Sequence, residues 1–259
     1  MTNSKNKYSL WFSILSKDAR YSSNEENFIN PEKFDWTNNS KDITKIIKQE
    51  LINYLEKNNL KAYFNTQMSD DVKKWKTLSL KWWGLEFYTN QKHFPKTTEF
   101  INKIPNLVSA SFNLLEPHTK IFPHCGDTNG IYRCHLGLII PASLPECGFR
   151  VETEKTSWKE GEWLIFIDAK NHESWNDSDS NRFIFVIDII RDEFKKHKTL
   201  INGIVLTGLF LQRRAEKFNV LYKLQNYLFI KKSVVYFLLP FCFIAIKIRN
   251  LLSKLSLTS

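Results

Sequence analysis

The chain has 259 residues, of which 42% are hydrophobic, with only 8 Gly and 8 Pro. This length allows one sizeable core with an appendage, and the composition excludes fibrous and disordered proteins. The net charge of +10 belongs to one end, because residues 195–259 hold twelve Lys and Arg against one Glu, which leaves residues 1–194 at −1. A nearly neutral body argues against nucleic acid as a partner, and the basic end favours an anionic surface.

Neither the cysteines nor the N-terminus indicates secretion. Cys125, Cys134, Cys147 and Cys242 have no CxxC spacing, which suits a reducing compartment. The short apolar run at residues 8–15 is interrupted by serines and lacks a small-residue cleavage site. We therefore expect the body of the protein in the cytoplasm.

The N-terminal half is predicted to be partly helical. Residues 1–40 form a polar segment of their own. Over residues 42–57 the apolar positions fall at helical spacing and predict an amphipathic helix. Residues 75–88 are apolar and aromatic and predict a strand or extended segment. Residues 97–104 predict a second helix, which Pro105 ends.

After Pro105 the pattern changes to short β-type runs separated by turn residues. The predicted strands cover residues 110–115, 132–140, 148–152, 163–168 and 182–190. Strands at this spacing favour a barrel or double-sheet jelly roll over a parallel sheet. The sequence contains no GxGxxG or P-loop motif, which disfavours the common nucleotide-dependent enzymes. We assign this domain, with its supporting helices, to residues 41–194.

The remaining residues, 195–259, are predicted to form a basic, apolar helical tail. Residues 233–246 are apolar, contain Pro240 and are flanked by Lys and Arg. A spanning helix needs about 20 apolar residues, so this run favours a monotopic anchor or hairpin on anionic headgroups. The expected location is then the cytoplasmic face of a membrane. The alternative is a soluble helical layer that packs on the barrel.

Candidate site residues cluster in the β region. His124 falls in a predicted turn, and Arg133 and His135 share one face of the next strand because strand side chains alternate. His172 is placed between two predicted strands, and Arg182 opens the last one. A lone strand His or Arg is more often structural, so only the joint pattern is informative.

This combination of residue types suits one kind of chemistry. A non-haem Fe(II) oxygenase needs two imidazoles on one side of the metal, with the neighbouring ligand positions left open. A carboxylate-bearing cosubstrate needs a cation, and Arg grips a carboxylate with two parallel hydrogen bonds. The pattern therefore predicts an iron site with an arginine nearby.

Over roughly residues 75–192 the sequence resembles the aspartyl/asparaginyl β-hydroxylase family. The matching segments are NLLEPHTKIFPH at 113–124, GDTN at 126–129, RCHLGL at 133–138 with Pro141, WKEG at 158–161, LIFID at 164–168, HESWND at 172–177 and RFIFVID at 182–188. The resemblance implies a double-stranded β-helix, which is a jelly-roll barrel. It also implies dependence on Fe(II), with 2-oxoglutarate and O₂ as cosubstrates.

The resemblance implies a role for each matching residue. His124 and His172 correspond to the iron ligands, and Arg182 to the arginine that pairs with the distal carboxylate of 2-oxoglutarate. Arg133 and His135 correspond to residues that help hold the cosubstrate. Asn113 stands where the family often has a serine that contacts the same carboxylate, and it keeps a hydrogen-bonding side chain.

The third iron ligand of most such enzymes is missing. They use His-x-Asp/Glu, but position 126, two residues after His124, is Gly126. The resembling family also manages with two histidines, so water can complete the site. Asp127 is the alternative ligand, although a turn-forming Asp is the plainer account.

The implied reaction is hydroxylation of an unactivated C–H bond, coupled to conversion of 2-oxoglutarate to succinate and CO₂. The predicted substrate is an Asp or Asn side chain in a peptide or protein. The alternative is a membrane-lipid acyl chain, as in relatives that hydroxylate lipid A or ornithine lipid. Two remoter alternatives are an inactive jelly-roll binding module and a metal-dependent hydrolase.

Overall fold

The structure is a computed structural model that describes residues 9–17, 20–38, 40–63, 68–71, 73–215 and 227–255. Five α-helices are described: α1 Ser40–Leu55, α2 Tyr88–Gln91, α3 Pro95–Lys103, α4 Lys198–Ala215 and α5 Leu228–Leu255. The eleven described strands are β1 Lys61–Ala62, β2 Trp75–Trp82, β3 Leu85–Glu86, β4 Leu107–Leu115, β5 Thr119–His124, β6 Ile131–Ile139, β7 Cys147–Val151, β8 Glu154–Thr156, β9 Trp163–Ile167, β10 His172–Asn176 and β11 Arg182–Ile190.

The strands form two sheets with antiparallel ladders. The larger sheet has the order β1-β2-β4-β11-β6-β9, with β3 paired to β2, and the smaller has the order β5-β10-β7-β8. The larger sheet contributes β9 and β11 to a shared apolar cluster with β7 of the smaller sheet. This is the predicted jelly-roll barrel with flanking helices, and the fold class is confirmed.

Side chains alternate along the central strands, so the two faces of the larger sheet have different surroundings. On β11, Phe183, Phe185 and Ile187 belong to the apolar cluster shared with α1 and α3. The intervening Ile184 packs instead with the smaller sheet, and Arg182 has the same parity as Ile184. The larger sheet therefore has an apolar outer face under the helices and a partly polar inner face toward the smaller sheet.

Most predicted elements are present. Residues 42–57, 97–104, 110–115, 132–140, 148–152, 163–168 and 182–190 correspond to α1, α3, β4, β6, β7, β9 and β11 with small shifts at the ends. Residues 75–88 divide into β2, β3 and the start of α2. These segments are long or strongly periodic, which is why their patterns were informative.

The secondary structure predicted for the two histidines was wrong. His124 is the last residue of β5 and does not lie in a turn, and His172 is the first residue of β10 and does not lie between strands. Both strands are short and polar, and β5 contains Pro123. Neither therefore shows an apolar run. The two strands pair with each other, and β10 also pairs with β7, and these ladders make them strands.

The two C-terminal helices differ in their surroundings. The middle of α4 is buried, and Ile201, Ile204 and Val205 pack with Trp83 and Ile190 of the barrel. Helix α5 continues through Pro240 and packs on α4 and β3. It is the one helix in the described ranges that is long and apolar enough to cross a membrane.

Replacing Phe185 with Ala tests the packing of the outer face. Phe185 is fully buried, and its ring lies 5.0 Å from that of Phe112. We expect the free energy of unfolding to fall by about 3–5 kcal/mol because the lost ring leaves a cavity. Urea titration measures this change. The matched variant Phe229→Ala, at a position 83% exposed, should change the value by no more than about 0.5 kcal/mol; equal effects would contradict the packing.

Candidate active site

Two histidines face each other in the smaller sheet. His124 at the end of β5 and His172 at the start of β10 are Cα partners in the ladder, and a register shift follows between His172 and Ser174. The two ring centroids are 4.2 Å apart. At this separation both rings can reach one ion at about 2.1 Å, the usual length of a bond between imidazole nitrogen and metal.

Hydrogen bonds to the backbone fix the tautomer of both rings. His124 Nδ1 lies 2.7 Å from the Phe122 carbonyl oxygen, and His172 Nδ1 lies 2.8 Å from the Lys170 carbonyl oxygen. A carbonyl only accepts, so each Nδ1 carries the proton and each Nε2 keeps a lone pair. This arrangement is typical of histidines that bind a metal through Nε2.

Burial keeps both rings neutral. It lowers the pKa of His124 to about 4, and the nearby Arg133 acts in the same direction. It also lowers the pKa of His172 well below its usual value, with a further contribution from His124. Neutral imidazole is the form that binds a metal, so the site needs no deprotonation at neutral pH.

The histidines line a cavity of about 630 Å³ between the two sheets. Its walls include every site residue that the sequence predicted: Asn113, His124, Asp127, Arg133, His135, His172 and Arg182. The inner faces of β4, β6 and β11 supply the residues that do not come from the smaller sheet or its adjoining loop. The cavity also extends to Leu209 and Gln212 of α4 and Lys231 of α5.

Arg182 is a buried cation without a counter-ion. Its side chain is 2% exposed, and its guanidinium lies over the ring of Trp158 at 4.5 Å. Among the described residues no carboxylate pairs with it, and Nε has no hydrogen-bond partner. Burial lowers the pKa of Arg182 to about 10, so it stays charged at neutral pH. A buried unpaired charge is costly, and an anionic ligand in the cavity would relieve that cost.

Trp158 connects Arg182 to His135, and sequence reasoning gave it no role. Its Nε1–H donates to His135 Nδ1 at 3.2 Å, so the ring proton of neutral His135 is on Nε2. Burial, reinforced by Arg133 and Arg182, lowers the pKa of His135 well below its usual value. A buried tryptophan usually indicates core, which is why its matching motif WKEG did not mark it as a site residue.

Arg133 occupies the same cavity but already has carboxylate partners. Its Nε and Nη2 donate to the two oxygens of Asp188 at 2.8 and 3.1 Å, and Nη1 lies 2.5 Å from Asp168 Oδ1. Burial acts to lower the pKa of Arg133, but the two carboxylates outweigh it and raise that pKa. The structure thus gives Arg133 two carboxylate partners, unlike Arg182.

Asp168 is a second residue that sequence reasoning missed. Its side chain is 1% exposed, and Oδ1 lies 3.9 Å from His172 Nε2. A Cβ on Gly126 would lie 1.9 Å from Asp168 Oδ2, so Asp168 fills the space that a side chain at position 126 would take. Burial raises the pKa of Asp168 to about 7, and Arg133 opposes this shift. The sequence signal was its place at the end of the matching segment LIFID, which did not mark it as a site residue.

Asp127 also lines the cavity. Burial raises its pKa to about 6, and Arg133 opposes this shift. Across the described ranges no group of three or more His, Cys, Asp or Glu side chains is arranged to hold a metal. The fit to a metal rests instead on His124 and His172, whose rings lie 4.2 Å apart and whose Nε2 atoms carry no proton.

The model of the family described as aspartyl/asparaginyl β-hydroxylase matches residues 41–192, which is more than half of the chain. The chain belongs to the aspartyl/asparaginyl β-hydroxylase family. The match covers the barrel from α1 to the residues just after β11. It does not extend over α4 and α5.

Curated relatives of two kinds align with this chain. The ornithine lipid ester-linked acyl 2-hydroxylase of Rhizobium tropici is 38% identical over 48% of this chain and 46% of its own length. The aspartyl/asparaginyl beta-hydroxylase of Homo sapiens is 37% identical over 39% of this chain and 14% of its own length. The chain thus spans less than half the length of these relatives. Among solved structures, a Pseudomonas putida prolyl-4-hydroxylase aligns with a TM-score of 0.41 at 12% identity, over 58% of this chain and 87% of that one.

Replacing Gly126 with Ala tests the close approach of Asp168. The new Cβ would force Asp168 away from Gly126 and weaken its ion pair with Arg133, so we expect the free energy of unfolding to fall by about 1–3 kcal/mol. Urea titrations of Gly126→Ala, Asp168→Ala and the double variant measure the coupling. Asp168→Ala should lower the free energy of unfolding less in the Gly126→Ala background than in wild type, because it removes the carboxyl group that clashes with the new Cβ. Strictly additive effects would show that the two positions do not compete for space.

Proposed function

We propose that this protein is an Fe(II)- and 2-oxoglutarate-dependent hydroxylase. One observation carries the proposal. Two neutral histidines with free Nε2 lone pairs share a cavity with a buried arginine that lacks a counter-ion. The first feature suits a metal, and the second suits a carboxylate. A ligand that binds the metal at one end and carries a carboxylate at the other satisfies both.

Each protein group then has a defined task. His124 and His172 hold the iron through Nε2, on the side of the barrel formed by the smaller sheet. Arg182 pairs with the distal carboxylate of 2-oxoglutarate, and Trp158 keeps its guanidinium in place by stacking. His135 supplies a further hydrogen-bond donor through Nε2, and Asn113, whose Nδ2 donates to Ser111 Oγ at 2.9 Å, lines the same cavity. When bound, the iron with 2-oxoglutarate and O₂ supplies the oxidising power for hydroxylation of a C–H bond.

Asp168 and Arg133 complete the surroundings of the metal. Asp168 presents a buried carboxyl group beside His172, on the side where Gly126 provides no ligand. Arg133 holds this carboxylate and is itself oriented by Asp188. We assign Arg133 a positioning role through Asp168, in addition to the cosubstrate contact that the resemblance implies.

The substrate is either an Asp or Asn side chain of a peptide or protein, or an acyl chain of a membrane lipid. The names of the aligned relatives include both kinds. One observation favours the lipid: part of the cavity wall comes from α4 and α5, through Leu209, Gln212 and Lys231. These helices lie outside the residues that the family model matches and carry a large apolar surface.

Replacing Arg182 with Ala should raise the 2-oxoglutarate concentration needed for half-maximal succinate release by about 100-fold, since two charge-assisted hydrogen bonds are lost. Fe(II) affinity, measured anaerobically, should change little. The Arg182→Lys variant keeps the charge but loses the planar guanidinium. Its 2-oxoglutarate requirement should lie between those of wild type and Arg182→Ala. An unchanged 2-oxoglutarate requirement in Arg182→Ala would remove this residue from the site.

Replacing Gln212 with Trp tests the substrate class. The tryptophan side chain is larger than that of glutamine and would narrow the cavity where α4 lines it. We expect succinate release stimulated by a membrane-lipid extract to fall at least about tenfold, with the unstimulated release unchanged. Peptides containing Asp or Asn serve as the competing substrate set. Stimulation by peptides and not by lipids, insensitive to Gln212→Trp, would reverse the assignment.

A further inference from the structure

One face of α5 is fixed to the domain. Val235 and Leu239 are buried, and Leu239 and Phe243 would meet a Cβ on Gly203 at 2.6 and 2.5 Å. The helices can therefore approach closely only because position 203 is glycine. Near the other end of α5, the Asn250 side chain donates to the Gly84 carbonyl at 2.8 Å and accepts from the Glu86 N–H at 2.9 Å.

The opposite face of α5 is apolar and exposed. A stripe of six large hydrophobic side chains, each more than half exposed, runs along it: Phe237, Phe241, Ile244, Ile248, Leu251 and Leu255. The spacing alternates between four and three residues, which keeps these side chains on one side of a helix. At about 100° per residue, the centre of this stripe lies about 170° from the centre of the packed face.

Basic residues border the stripe on both sides. In a helical projection, Lys247 and Lys254 lie on one flank, and Lys231 and Arg249 lie on the other. Helix α5 contains no Asp or Glu. Long cationic side chains beside an apolar stripe suit anionic headgroups above acyl chains, because their stems stay apolar while their charges reach the headgroups.

The packed face argues against a helix that crosses the bilayer. Helix α5 is long and apolar enough to cross a membrane. Insertion across a membrane would, however, expose Gly203 and detach Asn250 from Gly84 and Glu86. Lying in the plane of the interface keeps all these contacts and still buries the stripe.

We propose that the outward stripe of α5 docks onto an anionic phospholipid bilayer, with the helix axis in the plane of the membrane. The inference goes beyond the proposed chemistry and does not depend on it. A second copy of the chain is the other occupant that an apolar face could take. Self-association through this face would bring two helices with basic flanks and no acidic residue together, so charge favours the lipid.

The first test is flotation of the full chain with vesicles of phosphatidylcholine, alone or mixed with phosphatidylglycerol. We expect strong binding to the mixed vesicles. Phe237→Ser with Phe241→Ser should lower the partition coefficient at least about tenfold. Lys247→Gln with Lys254→Gln should lower it about tenfold on the mixed vesicles and little on phosphatidylcholine. The matched control, Ile46→Ser with Ile52→Ser, removes two exposed hydrophobics from α1 and should leave binding unchanged.

Two results would overturn the assignment of the stripe to a lipid surface. The first is that the Phe237→Ser, Phe241→Ser variant binds the vesicles as well as wild type does. The other is a concentration-dependent dimer, seen by light scattering without lipid and lost in that variant, which would assign the stripe to a second copy. Metal binding and succinate release report separately on the proposed chemistry, so each idea can fail alone.

The second test measures the orientation of α5. Nitroxide labels at Phe237→Cys, Ile244→Cys and Leu251→Cys, compared with labelled wild type, report depth in the mixed vesicles. An in-plane helix predicts similar shallow depths at all three positions. Depths that pass from one surface through the centre would show a spanning helix and overturn the in-plane arrangement.

Discussion

The ion pairs of Arg133 with Asp168 and Asp188 hold the site together. Asp168 follows β9, four residues before His172, and its backbone carbonyl accepts a hydrogen bond from the Gly126 N–H at 2.9 Å. The same residue thus ties down the loop that leads into β10 and the chain that leaves β5. Both histidines lie within four residues of this point. Arg133 donates two hydrogen bonds to Asp188 and forms an ion pair with Asp168, and these contacts offset the cost of burying the carboxyl groups.

The other arginine of the cavity, Arg182, has different surroundings from Arg133. Arg133 and Arg182 both come from inner-face positions of the larger sheet, yet only Arg133 has acidic partners among the residues that the structure describes. Arg133 has acidic partners without any ligand. Arg182 lies over the ring of Trp158 and has no acidic partner among the described residues. One cavity therefore combines a prearranged scaffold with a position that requires an anion, as expected where cosubstrate binding has to precede chemistry.

Much of the fold could be predicted because alternation and apolar runs are local. Residues 182–190 read as a strand and form β11 at those bounds. Strands β5 and β10 of the smaller sheet were harder to predict, because both are short and polar. They are strands because they pair with each other and because β10 also pairs with β7. Arg133 and Arg182 looked alike in sequence, and only long-range contacts separate them. Asp168 and Trp158 were missed for the same reason, since no spacing rule connects them to the histidines.

The cavity is lined at once by the proposed metal ligands and by residues of α4 and α5. Its inner end carries the groups that suit iron and 2-oxoglutarate, and its outer wall includes residues of α4 and α5, next to the surface that we assign to the membrane. A substrate that arrives from a bilayer would approach the cavity from that side. The position of the wall formed by α4 and α5 matters for a reaction only if the end with the histidines binds iron and 2-oxoglutarate.

Anaerobic titration of the protein with Fe(II) and then 2-oxoglutarate, followed by succinate measurement on admission of air, tests that claim most directly. The account predicts that one Fe(II) and one 2-oxoglutarate bind wild type, that 2-oxoglutarate binding depends on the metal, and that air yields succinate. His172→Ala should lose turnover. Absence of metal-dependent 2-oxoglutarate binding in folded wild type, or equal succinate from His172→Ala, would contradict the account.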